Sequence, residues 1–285
     1  MHWHSKPLPD VDKIKALQLA IGVSFEIASL LVQRGIDDFE SAKNFFRPEL
    51  KDLHDPFLML GMTAAVNRIK TAIDRHEKIM VYGDYDVDGT TSVSLVYSYL
   101  LKQLPDAIYY IPDRYDEGYG ISIKGIDTAK EQNVSLIIAL DCGIKAVDQV
   151  AYAKSLMIDF IICDHHLPGD QLPEAIAVLD PKQPACSYPY KELCGCGIGF
   201  KLLQALEKEK GKPVESLLPY IDLVAMAIAA DIVPITGENR ILVFYGLIQI
   251  NENPRIGTLS FINTLKKKLT VPDLVFIIAP RINGA

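Results

Sequence analysis

The stretch VYGDYDVDGTTS places three aspartates, Asp84, Asp86 and Asp88, within five residues. It follows the apolar run KIMVY, which has the length and composition of a buried strand. Three carboxylates held close together raise one another's pKa unless a cation compensates their charge. An acidic turn with local Asx hydrogen bonds would use the same residues without any metal. The stretch alone favours a cation site over such a turn but leaves both interpretations open.

Three further segments place acids and histidines after apolar runs. LIIALDCG carries Asp141, DFIICDHH carries Asp164, His165 and His166, and AIAADIVP carries Asp231. Carboxylates with one or two imidazoles favour Mn²⁺ or Mg²⁺ over a structural zinc. Because the carboxyl ends of parallel strands meet at one edge of a sheet, we expect one cleft that holds two cations sharing a carboxylate. Such a pair suits attack of water on phosphorus.

The elements that must position these residues are predicted by a change of hydrophobic period. Residues 1–75 have the helical spacing of apolar residues and are predicted to form a helical N-terminal segment packed on the core. From residue 78, short apolar runs alternate with helix-length segments. This pattern predicts an α/β domain over residues 76–285, with a parallel sheet, helices on both faces and further helices at the end. Gly195, Gly197 and Gly199 are interpreted as close helix packing rather than a phosphate site.

Composition restricts the class of protein. The net charge of −7 lacks the basic surplus typical of nucleic-acid binders, although bound cations would reverse the local field. No apolar run has the roughly 18 residues of a membrane span, so we expect no membrane. Five cysteines, an odd number scattered along the chain, fit a reducing cytoplasm better than a disulfide framework.

The four motifs resemble those of the DHH phosphoesterase superfamily, whose name describes the Asp-His-His at residues 164–166. GDYDVDGTTS is similar to its first motif, LDCG to its second and AADIVP to its fourth. The segments LLVQRGIDDFESAKNFFRPEL and IPDRYDEGYGIS narrow the resemblance to the RecJ family of single-strand-specific 5′→3′ DNA exonucleases. The resemblance covers nearly the whole chain.

The resemblance also implies roles for individual residues. The metal ligands would be Asp86, Asp88, Asp141, His165 and Asp231. Asp141 would bridge the two metals. Asp84 and His166 would be catalytic, Asp84 as a ligand or a neighbouring acid and His166 on the phosphate. Arg114, with Arg281, would hold substrate phosphate.

The function implied is that of a metal-dependent phosphodiesterase that degrades single-stranded DNA from its 5′ end in DNA repair and recombination. It would use two Mn²⁺ or Mg²⁺ ions, act as a cytoplasmic monomer, and meet a single-strand-binding protein or a helicase. The alternatives are a nano-RNA or cyclic-dinucleotide phosphodiesterase and a non-catalytic scaffold. We expect the family's second substrate-binding domain and oligonucleotide-binding fold to be absent, which would leave this chain weakly active or inactive alone.

Overall fold

The structure is a computed structural model that describes residues 6–284, so the ends of the two predicted domains, residues 1–5 and 285, lie outside it. The chain divides into two compact units, one ending at Asp52 and the other beginning at Leu53. The helix Met62–Asp74, which precedes the boundary predicted at residue 75, belongs to the second unit. The predicted domain assignment therefore stays a prediction.

The first unit is a small helical bundle, as the spacing of its apolar residues predicts. Its helices are α1 (Val11–Ile21), α2 (Phe25–Val32) and α3 (Phe39–Phe46), followed by a 3₁₀ turn at Leu50–Asp52. Buried aliphatic side chains of all three helices form its core. No single described helix is long and apolar enough to cross a membrane; α1 and α2 pass that test only together, with a bend of 116° between them.

The second unit contains a five-stranded parallel sheet, which confirms the predicted α/β fold. The strands are β1 (Ile79–Gly83), β2 (Ile108–Tyr110), β3 (Leu136–Leu140), β4 (Asp159–Cys163) and β5 (Ala177–Leu179). Their spatial order is β2-β1-β3-β4-β5. All residues of β1 and β3 are buried, as expected for strands covered on both faces. The order reverses between β1 and β3, the place where open parallel sheets bind ligands.

Helices cover both faces of this sheet. The longer ones are α4 (Met62–Asp74), α5 (Val87–Leu100), α6 (Ile123–Glu131), α7 (Val147–Ser155), α8 (Gly195–Glu209), α9 (Ile221–Ala230), α10 (Gly237–Glu252) and α11 (Ile256–Leu265). Short segments complete the unit: 3₁₀ turns at Pro56–Leu58 and Val214–Tyr220, then α12 (Val271–Asp273), a π-helical stretch at Leu274–Ile278 and α13 (Ala279–Asn283). Helices α6 and α7 pack on one face, while α4, α5 and α8 pack on the other.

A buried ionic network fixes α8 to the start of α10. Lys201 of α8 is fully buried, and its Nζ donates to Glu238 Oε1 at 2.9 Å and to the carbonyl oxygen of His54 at 2.7 Å. Glu238 also accepts from the backbone N–H of His54 and from the hydroxyl of Tyr188 at 2.6 Å. Every charge in the network is compensated, which a buried ion pair requires.

We expect Lys201→Met to lower the free energy of unfolding by about 3–5 kcal/mol, because it leaves the Glu238 carboxylate buried without its cation. Lys70→Met is the matched control: it removes an exposed pair with Glu209 and should cost less than about 1 kcal/mol. Urea unfolding measures both variants. Equal losses would show that the buried network does not stabilise this helix pair.

Candidate metal centre

The strand ends bring the acidic motifs together. Asp84 follows β1, Asp141 follows β3 and Asp164 follows β4, and these three strands are neighbours in the sheet. Asp231 does not follow a strand; it is the residue directly after the end of helix α9. The parallel topology thus collects acids that are far apart in the sequence at one edge of the sheet.

The three aspartates of the first motif have different environments. Asp84 is fully buried, and neither of its carboxylate oxygens has a hydrogen-bond partner within residues 6–284. Burial raises the pKa of Asp84 to about 6. Asp86 is half-buried and caps α5, with its Oδ1 accepting from Gly89 N–H at 2.9 Å. A Cβ at Gly89 would collide with the backbone of Asp84, so the tight entry into α5 needs glycine there.

Asp88 is held by the N-terminus of α8. The N–H of Gly195 donates to Asp88 Oδ2 at 2.6 Å, and the N–H of Cys196 donates to Oδ1 at 2.8 Å. These are free first-turn donors at the positive end of a helix, which suit an anion. Burial nevertheless raises the pKa of Asp88 to about 6. A Cβ at Gly195 would lie 2.5 Å from the Cβ of Asp141, so this glycine also allows close packing.

His165 lies at the centre of the carboxylates. Its Nε2 is 3.1 Å from Asp141 Oδ1, 3.6 Å from Asp231 Oδ2 and 3.8 Å from Asp88 Oδ2. Neither ring nitrogen has a hydrogen-bond partner in the described part of the chain. Burial lowers the pKa of His165 to about 4, so the ring is neutral at physiological pH and keeps a lone pair for a metal.

Two groups of three ligand atoms share this histidine. One consists of Asp141, His165 and His166, and the other of Asp88, His165 and Asp231; within each, the atoms lie within 4.8 Å of one another. Burial, with the charges of Asp88 and Asp86 in addition, raises the pKa of Asp231 to about 7 and that of Asp141 well above its ordinary value. Asp141 adopts a left-handed backbone conformation with φ of 60°, which is uncommon outside glycine.

Asp164 positions the histidines rather than joining either ligand group. Its Oδ1 accepts from the backbone N–H of His165 and from Nδ1 of His166, both at 2.7 Å, and its Oδ2 accepts from Ile144 N–H at 2.8 Å. Burial alone would raise its pKa, but the hydrogen bond from His166 holds the pKa of Asp164 below its ordinary value. The same bond raises the pKa of His166. The Nε2 of His166 is therefore the atom that faces the site.

Tyr119 forms a wall of the site, through contacts that the sequence analysis did not predict. Its hydroxyl lies 3.3 Å from His166 Nε2 and 3.3 Å from the carbonyl oxygen of Asp141. Both flanking glycines have positive φ, 77° for Gly118 and 87° for Gly120. The two glycines of the EGYG segment were therefore a sequence signal for this loop, because glycine is the residue that most readily adopts positive φ.

The two arginines differ in position. Arg114 is exposed at the rim, with its guanidinium carbon 4.4 Å from the centre of the Tyr85 ring. Arg281 is also exposed, and its Nη1 donates to the carbonyl oxygen of Ile277 at 2.6 Å within its own helical segment. The residue of that segment that reaches the acidic loop is Asn283, whose Oδ1 accepts from Val87 N–H at 3.0 Å. No sequence motif indicated a role for Asn283.

The donor set fits divalent cations. Unpartnered buried oxygens at Asp84, Asp141 and Asp231 stand beside an unpartnered neutral imidazole at His165. Leaving so many buried polar atoms unpaired is costly unless a ligand satisfies them. Hard oxygen donors with one or two imidazoles suit Mn²⁺ and Mg²⁺. All five cysteines are free and buried, and none belongs to the two ligand groups.

Comparison with known proteins places the chain in a family. The family model described as "DHH family, N-terminal domain" matches residues 78–228. The single-stranded-DNA-specific exonuclease RecJ of Bacillus subtilis is 43% identical over an alignment of 292 residues, covering 100% of this chain and 36% of the relative.

Two solved structures show the same fold. RecJ from Thermus thermophilus in complex with Mn²⁺ has a TM-score of 0.80 at 28% identity, covering 96% of this chain and 39% of that chain. An exonuclease RecJ bound to manganese has a TM-score of 0.71 at 32% identity, covering 80% of this chain and 57% of that chain. This chain thus spans less than two thirds of the length of these relatives. It belongs to the DHH family, and its resemblance to the RecJ exonucleases is confirmed.

Proposed function

We propose that this chain is the metal-binding catalytic part of a single-stranded-DNA-specific 5′→3′ exonuclease. The observation that carries the proposal is the convergence of Asp88, Asp141 and Asp231 on the neutral ring of His165, with buried atoms left unpartnered. The RecJ relatives are named single-stranded-DNA-specific exonucleases, and two RecJ structures contain Mn²⁺. Two Mn²⁺ or Mg²⁺ ions are the proposed cofactors.

The proposed ligands divide between the two ions. Asp141 belongs to the first group with His165, and Asp88 and Asp231 belong to the second. Asp86 completes the set: capping α5 occupies one of its oxygens and leaves the other for a cation. Asp88 still has lone pairs beyond those used by α8, because a carboxylate offers about four acceptor positions. Asp141 is the proposed bridge between the two ions. Its Oδ1 lies 3.1 Å from Nε2 of His165, the residue that belongs to both groups.

When bound, the cations supply charge neutralisation and activate water for attack on phosphorus. The chain's own residues position and move protons around that reaction. Asp84, buried two residues before the proposed ligand Asp86, is proposed as a further ligand or as the neighbouring acid that accepts a proton. His166, whose Nδ1 is hydrogen-bonded to Asp164, is proposed to donate from its protonated Nε2 to a phosphate oxygen rather than to bind a cation. Arg114 at the rim holds a substrate phosphate through paired hydrogen bonds, and Arg281 is proposed to contact phosphate further along the strand.

The biological setting is proposed with the activity. The enzyme would act in DNA repair and recombination in the cytoplasm, as a monomer that meets a single-strand-binding protein or a helicase. The direct test of the activity compares labelled single strands with dinucleotides as substrates. The protein tested is this chain extended to the length of its RecJ relatives. Loss of a 5′ label as mononucleotides supports the exonuclease, and turnover of dinucleotides alone would replace it with a nano-RNA phosphodiesterase.

We expect Asp141→Asn to raise the melting temperature without metal at pH 8, because it removes one of several buried like charges. The same variant should lose most of the stabilisation by Mn²⁺, which at 100 times the dissociation constant amounts to about 2.7 kcal/mol in the unmodified chain. Thermal unfolding with and without Mn²⁺ measures both effects. Asp127→Asn, at a carboxylate bonded to Tyr152 outside the centre, should change neither. Full Mn²⁺ stabilisation of Asp141→Asn would refute its role as a ligand.

The raised pKa values predict a specific pH dependence. Asp84 and Asp88 titrate at about 6 and Asp231 at about 7 in the folded chain, above their ordinary value of about 3.9. At a pH between the ordinary pKa and the raised pKa, the folded state binds more protons than the unfolded state. These groups therefore lower the free energy of unfolding as pH rises. Metal binding requires their deprotonated forms.

We therefore expect the gain in melting temperature from Mn²⁺ to increase between pH 5 and pH 8. Melting curves with and without Mn²⁺ at each pH isolate this difference from other titrations. A gain that is constant with pH, or that decreases, would mean that these carboxylates do not bind the ion.

We expect Arg114→Ala to weaken binding of 5′-phosphorylated single strands by about tenfold and to affect 5′-hydroxyl strands less, since a charge-assisted phosphate contact is lost. Fluorescence anisotropy with phosphorothioate strands, which resist cleavage, measures both affinities. Arg75→Ala removes an exposed arginine that precedes β1 at the opposite end of the sheet and serves as the control. Equal weakening for both kinds of strand would assign Arg114 to general backbone contact.

A further inference from the structure

Two residues of the site lie on one loop, which joins β2 to α6 and covers residues 111–122. Arg114 stands at the rim, with its guanidinium carbon 4.4 Å from the centre of the Tyr85 ring. The hydroxyl of Tyr119 lies 3.3 Å from Nε2 of His166. Neither Arg114 nor Tyr119 belongs to a helix or a strand, so their positions depend on the contacts that hold this loop.

Glu117, in the middle of the loop, bonds to both of the loop's ends. Its Oε2 accepts from the hydroxyl of Tyr110, the last residue of β2, at 2.8 Å and from the hydroxyl of Ser122, the N-cap of α6, at 2.6 Å. Its Oε1 accepts from the backbone N–H of Asp113 at 3.0 Å. The side chain is only 5% exposed. One carboxylate thus uses both of its oxygens to close the loop.

Further bonds close a turn around Arg114. The N–H of Glu117 donates to the carbonyl oxygen of Asp113 at 2.9 Å. Oδ1 of Asp113 accepts from the N–H of Tyr115 at 2.8 Å and from the N–H of Asp116 at 3.0 Å. Arg114 therefore lies inside a turn whose two ends, Asp113 and Glu117, are joined by hydrogen bonds in both directions. These bonds fix the direction in which the arginine leaves the backbone.

The Tyr119 part of the loop has a separate anchor. The hydroxyl of the fully buried Tyr82 donates to the carbonyl oxygen of Gly120 at 2.9 Å and accepts from the N–H of Ser122 at 3.0 Å. Since Tyr82 lies on β1, this part of the loop is fixed directly to the sheet. Loss of the Glu117 carboxylate should therefore disturb the turn around Arg114 more than the position of Tyr119.

Hydrogen bonds offset the charge of Glu117. Burial would raise the pKa of Glu117, but bonds from the N–H of Asp113 and the hydroxyls of Ser122 and Tyr110 hold this pKa below its ordinary value. Nζ of Lys124 also lies 3.6 Å from Oε1. A carboxylate without partners at the rim would repel phosphate, whereas this one is bound to donors of its own loop. Its contacts therefore indicate a role in loop conformation and not in substrate contact.

We propose that Glu117 is a positioning residue that sets the preference for a 5′ phosphate, because it holds the turn that presents Arg114 to the substrate. This inference rests on the proposed phosphate contact of Arg114 and adds the residue through which that contact is oriented. Glu117 itself contacts neither the substrate nor a cation.

The test uses this chain extended to the length of its RecJ relatives. Fluorescence anisotropy measures the affinities for 5′-phosphorylated and 5′-hydroxyl phosphorothioate strands, and their ratio gives the preference. Glu117→Ala should lower the preference about fivefold. In the Arg114→Ala background it should lower the preference no further, because Glu117 acts through that arginine. Glu207→Ala is the matched control: it removes another buried carboxylate that accepts from a tyrosine and a serine hydroxyl, at the far end of α5, and should leave the preference unchanged.

The outcomes separate this inference from the proposed function. If Arg114→Ala alone leaves the preference unchanged, the proposed phosphate contact fails, and this inference fails with it. If Arg114→Ala removes the preference and Glu117→Ala keeps it, only this inference is overturned. An equal effect of Glu117→Ala with and without Arg114 would also overturn it, since that result means a general loss of structure.

The fold of the variant is checked by the Mn²⁺-dependent rise in melting temperature, which Glu117→Ala should keep. If the rise is lost, Tyr110→Phe decides in its place, because it removes only one donor to the same carboxylate. Tyr110→Phe should lower the preference in the same direction, and an unchanged preference in that variant would overturn the role of Glu117.

Discussion

Repulsion among buried carboxylates is the constraint around which this site is built. Asp88, Asp141 and Asp231 approach one imidazole within 4 Å, and each has a raised pKa because burial disfavours its charged form. A chain that gained nothing from this arrangement would lower its free energy by spreading the charges. Divalent cations reverse the balance, since they turn mutual repulsion into shared attraction.

The rest of the second unit holds these charges in place. The parallel sheet provides three neighbouring strand ends, and the N-terminus of α8 provides two N–H donors for Asp88. Gly195 lets that helix approach Asp141, and the buried pair of Lys201 with Glu238 anchors α8 to α10. Asp164 then orients His166. The scaffold therefore uses its buried polar groups for positioning, while carboxylate oxygens of Asp84, Asp141 and Asp231 and both ring nitrogens of His165 have no hydrogen-bond partner among the described residues.

The sequence predicted the features that depend on local pattern. Buried strands are recognisable as short runs of Ile, Val and Leu, and an acid that follows such a run lies at the sheet edge, as Asp84 and Asp141 do. The donors to Asp88 were missed because Gly195 is 107 residues away and only the tertiary fold brings the two together. Asp164 could not be separated from the ligands by pattern, since its hydrogen bonds depend on the loop geometry after β4. Asn283 carries no sequence signal at all, because its contact with Val87 depends on where α13 ends.

The central claim is that the unpartnered carboxylates and His165 hold a pair of divalent cations. Anomalous diffraction from crystals of this chain soaked in Mn²⁺ tests it most directly. We expect two peaks about 3.5–4 Å apart, one beside Asp141 and His166 and the other beside Asp88 and Asp231, with His165 close to both. Crystals that show no anomalous peak at this cluster, or bind Mn²⁺ only at exposed acids elsewhere, would contradict it.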